Sequence, residues 1–142
     1  MNRIEIHRVK SSLDWFRPCG AALVAQTVRQ VADNHPGIRS KLPPDTSGWH
    51  GRWFATLEQV VDNLGSFHTL EPGLGVLGKR AAAAGITPGH MASIRDELMS
   101  AMARLAGDDW TPGLAAGWRV VLDAVIGAML HERQAHSGRA AA

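Results

Sequence analysis

Along most of this chain, hydrophobic residues recur at steps of three and four, the spacing of one face of an α-helix. In 20–34, Leu23, Val24, Thr27, Val28 and Val31 share such a face. A second stripe holds Trp49, Trp53, Phe54, Leu57, Val60, Val61 and Leu64 and reaches about residue 66. Glu71-Pro72-Gly73 opens a third segment, with Leu74, Leu77 and the run Ala81-Ala82-Ala83-Ala84. A fourth carries Met91, Ile94, Leu98, Met102 and Leu105. The last has a wide apolar face of Leu114, Trp118, Val121, Leu122, Val125, Ile126 and Met129, ending near His131.

The breaks between these stripes have local causes. Asn34-His35-Pro36-Gly37 stops the first, because proline lacks an amide donor and disfavours a helical residue before it. Asp45-Thr46-Ser47-Gly48 is rich in residues that cap helix starts. Gly85 is a stop signal, and Thr87-Pro88 and Thr111-Pro112 are starts, with Thr as cap and Pro at the first helical position. These signals predict an all-α fold of six to seven helices with short connections. The Pro88 and Pro112 helices are expected to form its central pair. Residues 1–10, where Ile4 and Ile6 alternate with polar neighbours, read as an N-terminal arm. Residues 11–134 read as one domain and 135–142 as a flexible tail.

Composition narrows the function classes. The chain has 142 residues, a formal charge of +2 and no basic tract, so nucleic acid is not an expected partner. Cys19 is the single cysteine, which excludes an internal disulfide and a cysteine-built zinc site. No apolar run reaches ~18 residues, so no membrane span is expected. The expected setting is the reducing cytoplasm. Five Trp, three Phe and no Tyr make most of the large aromatics indoles. Gly73-x-Gly75-x-x-Gly78 has the spacing of a phosphate loop but follows Pro72 and no strand, so it is discounted. No H-E-x-x-H and no paired carboxylates on an apolar face occur.

Among seven histidines, His50 stands out. It lies four before Phe54, seven before Leu57 and eleven before Val61, on the apolar side of its helix. It reads either as a half-buried residue at a helix start or as a pocket ligand to a metal. His68 and His90 read as solvated helix ends. Met91, Met99 and Met102 read as core filler, as do Trp53 and Trp118, while Trp49 and Trp110 sit at helix starts with one wet edge. The indoles could instead fill space beside a pocket. Lys79 and Arg80 read as a solvated face or as a cationic mouth for a carboxylate.

Four stretches resemble the bacterial single-domain globins of the flavohaemoglobin type, over roughly residues 12–132. His35-Pro36-Gly37-Ile38-Arg39-Ser40-Lys41-Leu42 is similar to the family's corner after the second helix. His50-Gly51-Arg52-Trp53-Phe54 is similar to the start of its distal helix. Leu77-Gly78-Lys79-Arg80-Ala81 with Gly85-Ile86-Thr87-Pro88-Gly89-His90-Met91 resembles "L-G-x-x-H-x-x-x-G-V-x-P-x-H-Y". Trp110-Thr111-Pro112 with Gly117-Trp118 resembles "W-T-P-x-x-x-x-A-W". The last two keep the family's spacing.

The resemblance implies a globin-like fold with a haem between the distal and proximal helices. It places the family's iron-binding His, seven before the proline, on Ala81. It places the Phe that wedges against haem on Leu42, the oxygen-binding Tyr on Val28 and the distal polar residue on His50, with Phe54 one turn on. Only the distal position keeps a polar group, and alanine has no donor for iron. The expected function is therefore a sensor or interaction module with a haem-free pocket for a small apolar ligand, lying in a cleft between the 49–66 and 73–84 helices. The alternative is a haem globin that binds oxygen or another diatomic gas with His50 on the iron. Dioxygenase or reductase chemistry would need haem iron and a reductase domain, so no enzymatic activity is expected. Relatives pair through their last two helices, and the wide 114–129 face suits a homodimer.

Overall fold

The computed structural model describes the backbone of residues 2–42 and 47–141 and the side chains of 2–42 and 50–131. Seven α-helices occur in the described residues, and no strand does: α1 (Arg3–Phe16), α2 (Gly20–Asn34), α3 (Pro36–Arg39), α4 (Ser47–Asp62), α5 (Glu71–Ala83), α6 (Pro88–Ala106) and α7 (Pro112–Ala141). The expected all-α architecture of six to seven helices is what the chain adopts. Three short 3-10 turns, at Arg17–Cys19, Leu64–Thr69 and Gly107–Asp109, complete the connections.

Residues 3–10 do not form an extended arm. They are the first turns of α1, closed by a capping box in which the Asn2 side chain accepts from the Glu5 amide and the Glu5 carboxylate accepts from the Asn2 amide. The period-two pattern misled because Ile4 stays exposed; the buried stripe of α1 is Val9, Ser12, Leu13 and Phe16. At the other end, the backbone of 135–141 continues as helix where the composition suggested a tail. The capping segment Asp45-Thr46 and the side chains of Trp49 and His136 lie outside the described residues.

The helices enclose one core. Val9, Leu13 and Phe16 of α1 meet Leu23 and Val24 of α2, Phe54, Leu57, Val60 and Val61 of α4, Leu98, Ala101 and Met102 of α6, and Leu114, Trp118, Val121 and Leu122 of α7. Trp118 is fully buried, edge-on to Phe16 with ring centroids 6.5 Å apart. Its indole N–H donates to the Ser12 hydroxyl at 2.8 Å, and that hydroxyl donates to the Val9 carbonyl at 2.7 Å. A buried polar group so satisfied costs little and fixes the register of α1 on α7.

The expected central pair is only part of the arrangement. α7 packs on α6, where Arg95 donates to Asp123 at 2.8 Å, but its most extensive neighbour is α5. Asp96 and Asp123 hold the Arg95 guanidinium above its ordinary pKa, the Asp96 hydrogen bond being the larger cause. The reason for the α5–α7 pairing is a glycine. A Cβ at Gly78 would collide with the carbonyl of Met129, so the two backbones meet with no side chain between them. α7 is also long and apolar enough, over Pro112–His131, to cross a membrane by length and composition, with mean hydropathy 1.5. Arg119 and Asp123 interrupt that stretch, so it holds no unbroken apolar run of that length. Leu114, Trp118, Val121 and Leu122 bury its inner face in the core, as the core helix of a globular fold also does.

Candidate functional site

The expected cleft is present between α4 and α5. Its volume is about 260 Å³. Thr56, Gln59 and Val60 of α4, Gly73, Leu74 and Leu77 of α5, and Thr69 and Leu70 from the turn between them line it. Val60 and Leu74 are buried and form the floor, whereas Leu77 is 38% exposed at the rim. The Thr56 hydroxyl donates to the Arg52 carbonyl at 3.0 Å and that of Thr69 to the Ser66 carbonyl at 2.7 Å. Each therefore turns mainly acceptor capacity outward. No ionisable side chain lines the cleft among the described residues.

α5 reaches this position through local signals that the sequence carries. Pro72 lies in its first turn, and at its other end Gly85 adopts φ 86°, a left-handed conformation that suits glycine. The chain reversal is closed by the Ile86 amide donating to the Ala81 carbonyl at 2.9 Å. Thr87 then caps α6: its hydroxyl accepts from the His90 amide, and His90 Nδ1 accepts from the Thr87 amide, both at 3.1 Å. His90 is thus a capping residue rather than a simple solvated end.

None of the five sequence-derived pocket residues lines the cleft. Phe54 is 5% exposed and packs on α2, where a Cβ at Gly20 would run into its ring. His50 lies one turn earlier on that same side of α4 and is partly buried. The side of α4 that turns to α5 carries Thr56 and Val60, and the residue in phase with them is Trp53, three before Thr56 and seven before Val60. Trp53 is not the core residue its place in the stripe suggested: it is 41% exposed. The α4 stripe is wide because it serves two neighbours, and helical spacing alone does not say which side meets which. Val28 packs half-buried against the main core, and Leu42 is half-buried at the end of the corner after α3.

Ala81 lies in the last turn of α5. It follows Leu74 by seven and Leu77 by four, on the cleft-facing line of α5 and one turn beyond the lining residues. Lys79 and Arg80 are exposed and do not line the cleft, so the cationic mouth is not formed there. No cluster of three or more His, Cys, Asp or Glu able to hold a metal occurs among the described residues.

The family model for globins matches residues 33–129. Comparison with curated proteins gave no match. Several solved structures share the fold. A Rhodothermus marinus protein, described as a candidate nitric oxide dioxygenase and engineered as a carbene transferase, superposes with a TM-score of 0.84 at 18% identity, over 99% of both chains. A bacterial globin from Campylobacter jejuni gives 0.84 at 10% identity, over 96% of this chain and 99% of its own. The CO form of haemoglobin from Mustelus griseus gives 0.77 at 19% identity, over 91% of this chain and 97% of its own.

The first of these corrects the expectation that the chain has no enzymatic activity. A chain of the same fold, matched end to end, is an engineered transferase and a candidate dioxygenase, so neither this fold nor this length argues against catalysis. With about two thirds of its residues matched by the family model and its helices arranged as in these structures, the chain belongs to the globin family.

Proposed function

We propose that this globin is a sensor or interaction module of the cytoplasm that takes a small apolar ligand into the α4–α5 cleft, where its relatives would be expected to hold haem. The support is the donor set. Proteins hold haem iron through His, Cys, Met or Tyr side chains. The cleft is lined by Thr, Gln, Val, Leu and Gly alone among the described residues. Ala81, on the cleft-facing line, has no atom that can ligate. The size agrees: about 260 Å³ is under the range of about 300–1,000 Å³ that drug-sized ligands occupy, and haem is larger than most of them. The residues present do not suit haem.

The reading with His50 on the iron draws on the inward phase of that residue. Its weakness is that His50 shares the side of α4 that Phe54 turns to α2. The carrying observation is therefore the cleft without a donor. The test is the absorbance spectrum of protein expressed with ample haem. No bound haem is expected. A stoichiometric haem complex that His50→Ala abolishes would overturn the proposal in favour of the gas-binding reading.

For partners, the same reading includes a homodimer through α6 and α7, where Leu105 is 47% and Val120 53% exposed. Light scattering across a concentration series tests it: a rise toward twice the 15.3 kDa chain mass is expected, and a constant monomer mass would count against it.

A further inference from the structure

The cleft has a composition that specifies more than apolarity. Its floor is aliphatic, from Val60, Leu70 and Leu74, with no aromatic ring among the lining residues. One side chain at its edge, Gln59, is exposed and holds its carboxamide at the solvent rim, while its backbone carbonyl accepts from Asn63 Nδ2 at 2.8 Å. That carboxamide offers both a donor and an acceptor. Leu77 leaves apolar surface uncovered at the rim, which a ligand would remove from water.

From these features we infer that the cleft binds a neutral aliphatic amphiphile, with an unbranched hydrocarbon body over Val60, Leu70, Leu74 and Leu77 and a single hydrogen-bonding head at Gln59. This deepens the proposed function and rests on that reading of the cleft. Size follows from volume. An enclosed apolar cavity of about 150 Å³ accepts benzene, so about 260 Å³ in this open cleft covers about ten non-hydrogen atoms of a ligand whose rest stays in water. Neutrality follows from the lining: a carboxylate or ammonium head would find no counter-charge there, so charge would add nothing to binding. A head that both donates and accepts, such as an alcohol, matches a carboxamide better than a pure acceptor does.

The test uses the full chain and 1-octanol as probe, followed by amide chemical shifts. Saturable one-to-one binding is expected, with shifts centred on residues 56–60 and 69–77. Gln59→Leu is expected to weaken octanol binding threefold to tenfold, the worth of one hydrogen bond. Octanoate is expected to bind at least tenfold more weakly than octanol. Gly73→Leu is the blocking variant: a Cβ at Gly73 meets nothing within 4 Å, so the side chain can enter the cleft without disturbing the helix. It is expected to abolish saturation while circular dichroism stays unchanged. Absence of saturation in the natural chain, or octanol binding that survives Gly73→Leu, would overturn the inference. The proposed function fails separately, through a haem complex in the absorbance test.

Discussion

The two sides of α5 meet their surroundings in opposite ways. Toward α7, Gly75 and Gly78 are buried and the contact is so close that no side chain fits between Gly78 and Met129. Toward α4, Gly73 has open space around it and Leu77 remains partly exposed. One side is a structural seam, close-packed like the rest of the interior. The other is a cleft whose lining atoms lack neighbours. In a single thirteen-residue helix, the same residue type marks both conditions, and only the neighbour distinguishes them. The difference locates function: the side that folding leaves uncovered is the side available to a ligand.

Substitutions on the two sides of α5 should have opposite effects. The largest effect is expected at Gly78→Ala. Its methyl group meets backbone rather than a movable side chain, so α5 must shift off α7, at a cost of about 3 kcal/mol or more. Thermal melting by circular dichroism should fall by about 10 °C, and an unchanged melting point would mean that α5 does not lie on α7 as described. Ser12→Ala comes next. It strands the buried Trp118 N–H and should cost about 2 kcal/mol, read from the urea midpoint; a neutral result would mean that the indole N–H has another partner. Gly73→Ala, on the open side, should be neutral or stabilise by about 0.5–1 kcal/mol through helix propensity. A loss of stability there would show that the cleft is tighter than its geometry implies.

Much of the fold was legible in the sequence, and the reasons are local. Thr87-Pro88 and Thr111-Pro112 start helices because the Thr hydroxyls accept from amides three residues on, at His90 and Leu114. Gly85 stops α5 because it can adopt a positive φ. The stripes of α2, α6 and α7 each have buried residues where the spacing placed them. The cleft between the 49–66 and 73–84 segments is different: its place came from the resemblance, and its lining residues did not.

What escaped depends on distant neighbours. Ser12 and Trp118 are bonded across most of the chain length, and nothing near either residue announces it. The approach of Gly78 to Met129 has no local signature, since Gly73 looks the same in sequence. The start of α1 is not marked by its pattern, because Ile4 and Ile6 alternate while the buried stripe begins only at Val9 and continues through Leu13 and Phe16. On α4, Trp53 and Phe54 are adjacent and both large. The pattern could not say that Phe54 turns inward on Gly20 while Trp53 takes the phase of the cleft. His50 shares that side with Phe54, away from the cleft, whereas Ala81 lies on the cleft-facing line of α5.

The open side of α5 forms a cleft that holds no iron ligand among its lining residues. Titration of the purified chain with haemin, read at the Soret band, tests it most directly. The broad spectrum of unligated haemin, with no break at one equivalent, is expected. A sharp band saturating at one haemin per chain would contradict it.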